Sequence, residues 1–328
     1  MMIVVIVLAV VFDFLNGFHD SSNIVATVIS SRALRPRVAL SITALAHFVA
    51  PFLFGVAVAT MIGEGLIDPN AISTTVVVAA LVASIAWNLF TWLISMPSSS
   101  SHALVGGLLG AAIIAEGVSV VHWDGLAKIL LALFLSPILG FAIAWVIMQL
   151  LFLVFPGASP RINDFFKRGQ VITSISLALS HGTNDAQKTM GLITMGLVAA
   201  GFQSSFEVPT WVIFLSAITI ALGTVFGGWR LIYTLGGRIY TIRPVHAFTS
   251  QLASTAVILG AAILGGPVST TQVVGSSVIG AGAAERIKKV RWQVGRDMLV
   301  TWLVTIPVTF ALSALVYLII TFFLGLLI

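Results

Sequence analysis

Long apolar segments dominate the chain and restrict what it can fold into. Eight runs are long enough to cross the roughly 30 Å of hydrocarbon in a bilayer, which takes about 20 residues of helix. They lie at 1–31, 38–62, 71–96, 126–155, 170–200, 209–229, 246–265 and 297–328. Only 8% of the 328 residues are charged, against about 25% in a soluble domain. Because backbone groups inside lipid must pair within their own segment, the sequence predicts an all-α polytopic membrane protein.

Two further apolar segments, at 98–116 and 268–284, are shorter than a spanning helix. Each begins close to a proline, Pro97 or Pro267, and to a group of hydroxyl residues. Such lengths suit half-helices that enter the membrane and return on the same side. We therefore predict two re-entrant hairpins, each formed with the apolar run that precedes the short segment.

Basic residues concentrate in alternate connectors between the apolar runs. These basic connectors are 32–37, 156–169, 230–243 and 286–291. The positive-inside rule places them in the cytoplasm, so the acidic connectors near 64–68, 116–124 and 207 face outward. The sequence thus predicts a lipid-embedded, multi-pass protein of the cytoplasmic membrane with both termini outside. The same bias explains the net charge of +5 without a nucleic-acid partner.

The two halves of the chain contain related motifs in the same order. GFHDSSN at Gly17–Asn23 aligns with GTNDAQK at Gly182–Lys188, and PSSSSHALVGG at Pro97 aligns with PVSTTQVVGSS at Pro267. The charge pattern gives the first helix of each half opposite directions, so the halves form two inverted-topology repeats, an arrangement typical of secondary transporters. The predicted division is 1–155 for the first repeat, 156–169 for a cytoplasmic linker and 170–328 for the second repeat.

The charged residues Asp20, Asp185 and Lys188 fall inside apolar runs. A charge at the centre of a membrane helix costs about 2.5–3.5 kcal/mol on insertion scales, and such residues are usually functional. Asp185 and Lys188 lie three residues apart on one helical face and can form a structural ion pair. That reading leaves Asp20 without a partner, so we expect all three to line a polar site.

Poor helix-forming residues begin both polar clusters. Asn16 and Gly17 precede the first, and Gly182 to Asn184 open the second. We predict that the first helix of each repeat is broken there, because a broken helix exposes carbonyl oxygens that coordinate cations. The alternative is a kink that serves packing only.

The hairpin tips are rich in hydroxyl groups. These residues are Ser98, Ser99, Ser100 and Ser101 in the first tip, and Ser269, Thr270 and Thr271 in the second. Hydroxyls and free N–H groups at a helix N-terminus bind anions, whereas ordinary N-capping needs a single hydroxyl per tip.

The intramembrane charges add up to about −1 before any solute binds, since Asp20 and Asp185 outweigh Lys188. An added anion would raise the negative charge further, so the site should fill only together with cations or protons. The pattern therefore predicts symport of phosphate, sulfate or another small oxyanion, with co-transported H⁺ or Na⁺ and no bound cofactor.

Histidines flank the polar clusters. His19 and His181 stand close to Asp20 and Asp185, where an imidazole can handle a proton near neutral pH or simply form hydrogen bonds. His181 and Asp185 have the i, i+4 spacing of metal ligands, but without further ligands at that spacing we expect no permanent metal. His47 is interpreted as a packing residue.

The four motifs together resemble the paired signatures of the inorganic phosphate transporter (PiT) family, in its short prokaryotic branch. They read FDFLNGFHDSSNIVATVISSRAL, SHGTNDAQKTMGLIT, MPSSSSHALVGG and GPVSTTQVVGSSVIGAG. The resemblance covers nearly the whole chain. It implies about 12 membrane helices or half-helices, a homodimer and a cycle of alternating access.

The resemblance also implies roles for individual residues. Asp20 with Asn23, and Asn184 with Asp185, would contribute to cation and phosphate coordination. The hairpin motif of the family maps onto two tips that would bind phosphate. The matching residues are Ser99, Ser100, Ser101 and His102 in the first tip, and Ser269, Thr270, Thr271 and Gln272 in the second.

The sequence departs from the family pattern at His19, Gln272 and Lys188. Lys188 stands where the pattern has a second Asn, and its ammonium group can take the place of one sodium ion of sodium-coupled relatives. This favours coupling to protons, and it makes Lys188 a candidate for binding phosphate. The family also includes sulfate permeases, so the anion stays open.

Two other classes of function use the same residues. An intramembrane hydrolase could combine Ser101 and His102 with an aspartate, but both tips carry hydroxyl clusters and the second lacks the histidine. An anion channel could use the same polar path without coupling. The duplication favours a transporter, and we predict that the protein is not an enzyme.

Overall fold

The computed structural model describes residues 1–68, 72–157 and 160–326. Twelve α-helices lie within these ranges: α1 Met2–Ser30, α2 Pro36–Val49, α3 Ala57–Gly63, α4 Thr74–Leu93, α5 Ser100–Glu116, α6 Trp123–Val154, α7 Ile162–Ala199, α8 Thr210–Phe226, α9 Trp229–Tyr233, α10 Pro244–Ile263, α11 Thr270–Glu285 and α12 Trp292–Gly325. Residue 71 of the run predicted at 71–96, residues 158–159 of the predicted linker, and the last two residues of the run at 297–328 lie outside the described residues.

Five of the helices in the described part of the chain are long and apolar enough to cross a membrane unaided: α1, α4, α6, α10 and α12. Two bent pairs bring the number to as many as seven. Pro36–Phe52 meets Ala57–Gly63 at 72°, and Thr210–Phe226 meets Leu231–Gly237 at 70°. The run predicted at 38–62 is thus a bent element rather than a straight span, and the run predicted at 209–229 ends at a bend.

Local residues account for both bends. Pro51 ends the first helical stretch within a short 3₁₀ turn, because proline lacks the N–H that a continuing helix needs. Gly55 and Gly227 both have positive φ values, 73° and 65°, a conformation that glycine adopts without strain. Each bend therefore follows from a residue that cannot, or need not, continue an α-helix.

Helices of the first repeat pack on helices of the second repeat in a reciprocal pattern. Helix α1 of the first repeat packs on α8 of the second, and α2 packs on α7; likewise α6 packs on α11, and α12 packs on α5. The bent pairs occupy corresponding places in the two halves. These relationships confirm the predicted all-α membrane fold with two related halves.

The predicted breaks in α1 and α7 are wrong. Both are continuous α-helices, of 29 and 38 residues. Their glycines serve close approach instead: a Cβ on Gly17 would lie 2.1 Å from the Ile220 carbonyl oxygen, and one on Gly182 would lie 2.9 Å from Ala50 Cβ. Because the helices are intact, their carbonyl oxygens stay in helical hydrogen bonds, and side chains must supply the polar groups of the site.

The predicted hairpins are confirmed, and their tips meet inside the protein. Helices α4 and α5 form one hairpin, and α10 and α11 form the other. Ser101 Oγ in the first donates a 2.8 Å hydrogen bond to the carbonyl oxygen of Val268 in the second. Trp302 on α12 donates a 3.1 Å hydrogen bond to the carbonyl oxygen of Pro97. The first bond joins the two tips, and the second holds the first tip against α12.

The predicted linker at 156–169 overlaps the beginning of α7, which starts at Ile162. The division of the chain at 1–155 and 170–328 stays a prediction.

Candidate ion-binding site

The site lies where α1, α7 and the two hairpin tips converge. Asp20 on α1 is 5% exposed, and Asp185 and Lys188 on α7 are fully buried. The flanking helices shield Asp20 almost completely, and Asp185 and Lys188 completely, from solvent. Burying charges at this depth is unfavourable unless each has polar partners.

Asp20 is held by two neutral donors. Its Oδ1 accepts a 2.9 Å hydrogen bond from Thr271 Oγ1, which comes from the second hairpin tip. It also accepts a 2.9 Å bond from Asn23 Nδ2, one turn further along α1. Asn23 Nδ2 lies 3.0 Å from Thr271 Oγ1 as well, so the three side chains form a closed triangle.

Asp185, unlike Asp20, has a charged partner. The Lys188 ammonium donates a very short hydrogen bond to Asp185 Oδ1. Thr270 Oγ1 donates to Oδ2 at 3.3 Å, and His181 Nδ1 lies 3.2 Å from the same oxygen. The predicted structural ion pair is therefore present, and Asp20 is the carboxylate that it leaves without a cation.

Adjacent threonines of the second tip thus reach both carboxylates. Asp20, Asp185 and Lys188 together carry a formal charge of −1 when both acids are ionised, in a setting of low effective dielectric. Such a centre attracts a cation or a proton before it can accept an anion.

Asp20, His181 and Asp185 also form a possible metal-ligand group. One ligand atom from each lies within 4.8 Å of the others, and all three residues are buried. Lys188 already occupies one oxygen of Asp185, and a fixed ammonium so close opposes a divalent cation. Our expectation of no permanent metal stays a prediction.

The predicted phosphate-binding hydroxyls all lie at the tips, but they make different contacts. Ser99 Oγ accepts from the N–H of His102 at 3.1 Å, and Ser269 Oγ accepts from the N–H of Gln272 at 3.3 Å. Both serines therefore act as N-caps of α5 and α11. Ser101 joins the two tips, and Ser100 faces a small cleft beside Asp20.

This cleft is lined by residues from both repeats. They are Asn16, His19, Asp20, Asn23, Asn88, Thr91, Trp92, Met96, Pro97, Ser98, Ser100, Leu231 and Thr271. Its volume is about 10 Å³, the lower limit for one water molecule. A tetrahedral oxyanion is larger than that, so the tips would have to move apart to admit one.

The α4 residues in this lining were missed in the sequence analysis. Asn88 and Thr91 are buried, and they lie three residues apart in a mostly apolar helix. That spacing places them on one face, which was the available signal. Trp92 stacks on His19, with ring centroids 6.3 Å apart and planes 8° apart.

The remaining candidates are buried close to the central carboxylates. Asn184 Nδ2 donates a 3.3 Å hydrogen bond to the carbonyl oxygen of Gly266 in the second tip. His47 accepts or donates a 2.7 Å bond with Thr224 Oγ1, and its ring stacks on that of His181 at 5.1 Å. Its contacts are those of a packing residue. His102 and Gln272 face each other across the tips, with Gln272 Nε2 3.3 Å from His102 Nε2.

Paired helical repeats with exchanged partners, two buried hairpin tips and an internal charged centre together define a multi-pass membrane transporter. Comparison with known proteins gives the family. The chain matches the phosphate transporter family over residues 16–156 and 156–313, and it belongs to that family. The family consists of transporters, so the prediction that the protein is not an enzyme is confirmed.

Bacterial relatives align over almost the whole chain. A probable low-affinity inorganic phosphate transporter of Bacillus subtilis (strain 168) is 43% identical over 319 residues, covering 96% of both chains. A protein of the same description from Rhizobium meliloti (strain 1021) is 41% identical, covering 95% of this chain and 94% of that one. The resemblance recognised in the motifs is thereby confirmed.

A solved structure supports the fold. The structure described as "The sodium-dependent phosphate transporter" superposes with a TM-score of 0.91 and covers 98% of this chain and 99% of its own, at 24% sequence identity. At that identity the likeness bears on the fold alone.

Proposed function

We propose that the protein is a symporter that imports inorganic phosphate across the cytoplasmic membrane together with H⁺ or Na⁺. The observation that carries this proposal is the contact of Thr270 and Thr271, at one hairpin tip, with the two buried carboxylates of Asp185 and Asp20. This contact supports the proposal because it joins two of the predicted anion-binding hydroxyls to two of the predicted cation-binding acids. The bacterial relatives, described as phosphate transporters, support phosphate as the anion.

In this proposal the tips and the ammonium group bind phosphate. The residues are Ser99, Ser100, Ser101, Ser269, Thr270, Thr271 and Lys188. Their hydroxyls and the free N–H groups at the starts of α5 and α11 donate to phosphate oxygens. Lys188 then shares its charge between Asp185 and the anion.

A second group handles the coupling cation. The residues are Asp20, Asn23, Asn184, Asp185, His19 and His181. The buried net charge of −1 explains why phosphate enters only with cations: binding the anion alone would concentrate negative charge in a region that water cannot screen. The ammonium of Lys188 supplies one positive charge permanently, which favours the proton as the coupling ion.

Transport requires the closed tips to separate alternately toward each side. The hydrogen bond from Ser101 to Val268 and the bond from Trp302 to Pro97 would open and re-form in the cycle. The inverted repeats provide two equivalent packings for this exchange. The proposed protein has both termini on the outer side of the membrane and is a homodimer.

The test is uptake of labelled phosphate by purified protein in proteoliposomes. An imposed proton gradient, an imposed sodium gradient and a membrane potential alone are compared, with sulfate as competitor. We expect accumulation driven by the proton gradient. Accumulation of sulfate but not phosphate would overturn the substrate, and flux that never exceeds electrochemical equilibrium would indicate a channel instead. A strict sodium requirement would contradict proton coupling.

A further inference from the structure

A second buried acid lies in α1, away from the centre described above. Asp13 stands seven residues before Asp20, on the same helical face, and it is fully buried. Neither of its carboxylate oxygens has a hydrogen-bond partner among residues 1–68, 72–157 and 160–326. The phosphate and cation contacts proposed above leave Asp13 unused, although a buried carboxylate without donors is among the least favourable groups in a protein.

Other residues on α1 and α7 also have buried polar atoms without a partner among the described residues. Both side-chain amide atoms of Asn16, one turn along α1, are buried without a partner in the described part of the chain, and so is the hydroxyl of Thr189 on α7. Thr189 lies on α7, which packs on α1, and its hydroxyl acts on the Asp13 carboxyl group. A carboxyl, an amide and a hydroxyl with unused hydrogen-bonding capacity therefore lie on the packed helices α1 and α7.

The charges that act on Asp13 come from one neighbouring helix. Asp185 and Lys188 on α7 influence it with opposite signs, and they are already paired with each other. Helices α4 and α8, which also pack on α1, contain no titratable residue. His47 on α2 is engaged by Thr224. Helices α4 and α8 therefore supply no cation for Asp13, and Lys188 of α7 is already paired with Asp185.

Binding of a proton to Asp13 makes its burial less unfavourable. Protonation makes the carboxyl neutral, which removes the cost of a buried charge, and supplies an O–H that Thr189 Oγ1 or Asn16 Oδ1 can accept. A metal cation would need several oxygen ligands around it, whereas a proton needs one acceptor oxygen.

We propose that Asp13 is a proton-binding site of the transport cycle, separate from the Asp20–Asp185 centre, with Asn16 and Thr189 as its hydrogen-bonding partners. One O–H bond forms when the carboxylate takes up a proton from one side of the membrane, and the same bond breaks when the proton leaves on the other side. The proton offsets one negative charge of the entering phosphate. This inference rests on the proposed function, phosphate symport.

The test separates proton movement from phosphate movement. Asp13→Asn, which keeps the shape but cannot take up a proton, is compared with Asp13→Glu, which can, and with Asp297→Asn, a matched change at a residue that is 46% exposed. Proton influx driven by phosphate is followed with a pH dye inside proteoliposomes. Phosphate–phosphate exchange, which needs no net proton transfer, is measured in parallel.

We expect Asp13→Asn to lower phosphate-driven proton influx at least about tenfold while exchange stays within about twofold. Asp13→Glu should keep the influx, with a shifted pH profile. An unchanged proton influx in Asp13→Asn would overturn the proposal, as would equal loss of influx and exchange.

A measurement on the unaltered protein covers the case in which the variants fail to insert. Dicyclohexylcarbodiimide modifies protonated carboxyl groups in apolar surroundings, and the modified residues are mapped by mass spectrometry. Asp13 should react in acidic buffer and be protected in alkaline buffer. If Asp13 stays unmodified in both buffers, the proposal is contradicted.

The same experiments keep this inference distinct from the proposed function. If the unaltered protein accumulates no phosphate under any gradient, phosphate symport itself fails. If the unaltered protein accumulates phosphate and the Asp13→Asn variant carries as many protons per phosphate, only the role of Asp13 fails. Accumulation driven by sodium without proton influx would also overturn the role of Asp13 while leaving symport in place.

Discussion

Thr271 on the second hairpin tip donates a 2.9 Å hydrogen bond to Asp20 on the first helix of the opposite repeat. The duplication makes Ser101 the counterpart of Thr271 and Asp185 the counterpart of Asp20. Ser101, however, donates to the Val268 carbonyl oxygen instead. The second tip therefore contacts both carboxylates, while the equivalent serine of the first tip holds the tips together. An inverted-repeat transporter can exchange two such arrangements between its halves.

Replacing Thr271 with Val should impair transport by removing that donor without changing the side-chain shape much. Losing one partner of a buried carboxylate costs about 1–3 kcal/mol, so we expect kcat/KM for phosphate to fall about tenfold. Thr255→Val is the matched control, since the Thr255 hydroxyl donates to the Gln251 carbonyl oxygen of its own helix. Equal uptake by the two variants would show that the Thr271–Asp20 contact has no part in transport.

Asp20→Asn and Asp185→Asn should each abolish coupled phosphate uptake while the protein remains in the membrane. Each change removes one negative charge from the buried centre, and with it the attraction for the coupling cation. Uptake into proteoliposomes and the amount of purified protein are measured together. Asp297→Asn, at a partly exposed position, should transport normally. Gradient-driven uptake at the normal rate by either central variant would refute the site.

Lys188→Gln should destabilise the protein as well as stop transport. The change leaves Asp185 fully buried without its cation, and breaking one half of a buried ion pair typically costs about 3–5 kcal/mol. Thermal unfolding in detergent should show a lower Tm than for the unaltered protein.

The double variant Asp185→Asn with Lys188→Gln serves as the control for this effect. It removes both charges, so it should regain most of the stability and none of the uptake. A double variant no more stable than Lys188→Gln would mean that the charge pair is not the cause of the loss.

Much of the fold could be predicted because membrane helices are set by length and apolarity. The predicted run at 126–155 corresponds to α6 at Trp123–Val154, and the predicted half-helix at 268–284 corresponds to α11 at Thr270–Glu285. The motif duplication also indicated the paired halves. The bends were missed because Pro51 lies within an apolar run, where hydropathy gives no sign of a change in direction.

The site could be predicted only in part. The charges inside apolar runs identified Asp20, Asp185 and Lys188, since such charges are rare in lipid. Which hydroxyl meets which carboxylate depends on tertiary packing, so the Thr271–Asp20 bond could not be foreseen. Asp13 was overlooked although its spacing of seven residues from Asp20 places both on one helical face.

Gly17 of α1 was interpreted as part of a helix break, and its actual role yields the last prediction. A Cβ at Gly17 would lie 2.1 Å from the Ile220 carbonyl oxygen, whereas one at Gly260 would meet nothing within 4 Å. Gly17→Ala should therefore push α1 away from α8 and cost about 1–3 kcal/mol through overpacking. Gly260→Ala, inside α10, should be neutral or stabilise the helix by up to about 1 kcal/mol.

Thermal unfolding in detergent distinguishes these effects, with Gly260→Ala as the matched control for the substitution itself. If Gly17 were a helix break, Ala would strengthen α1 and raise Tm, as at Gly260. If Gly17 permits close approach, Tm falls only in Gly17→Ala, and phosphate uptake falls with it, because α1 carries Asp20 and a displaced α1 separates that carboxylate from Thr271.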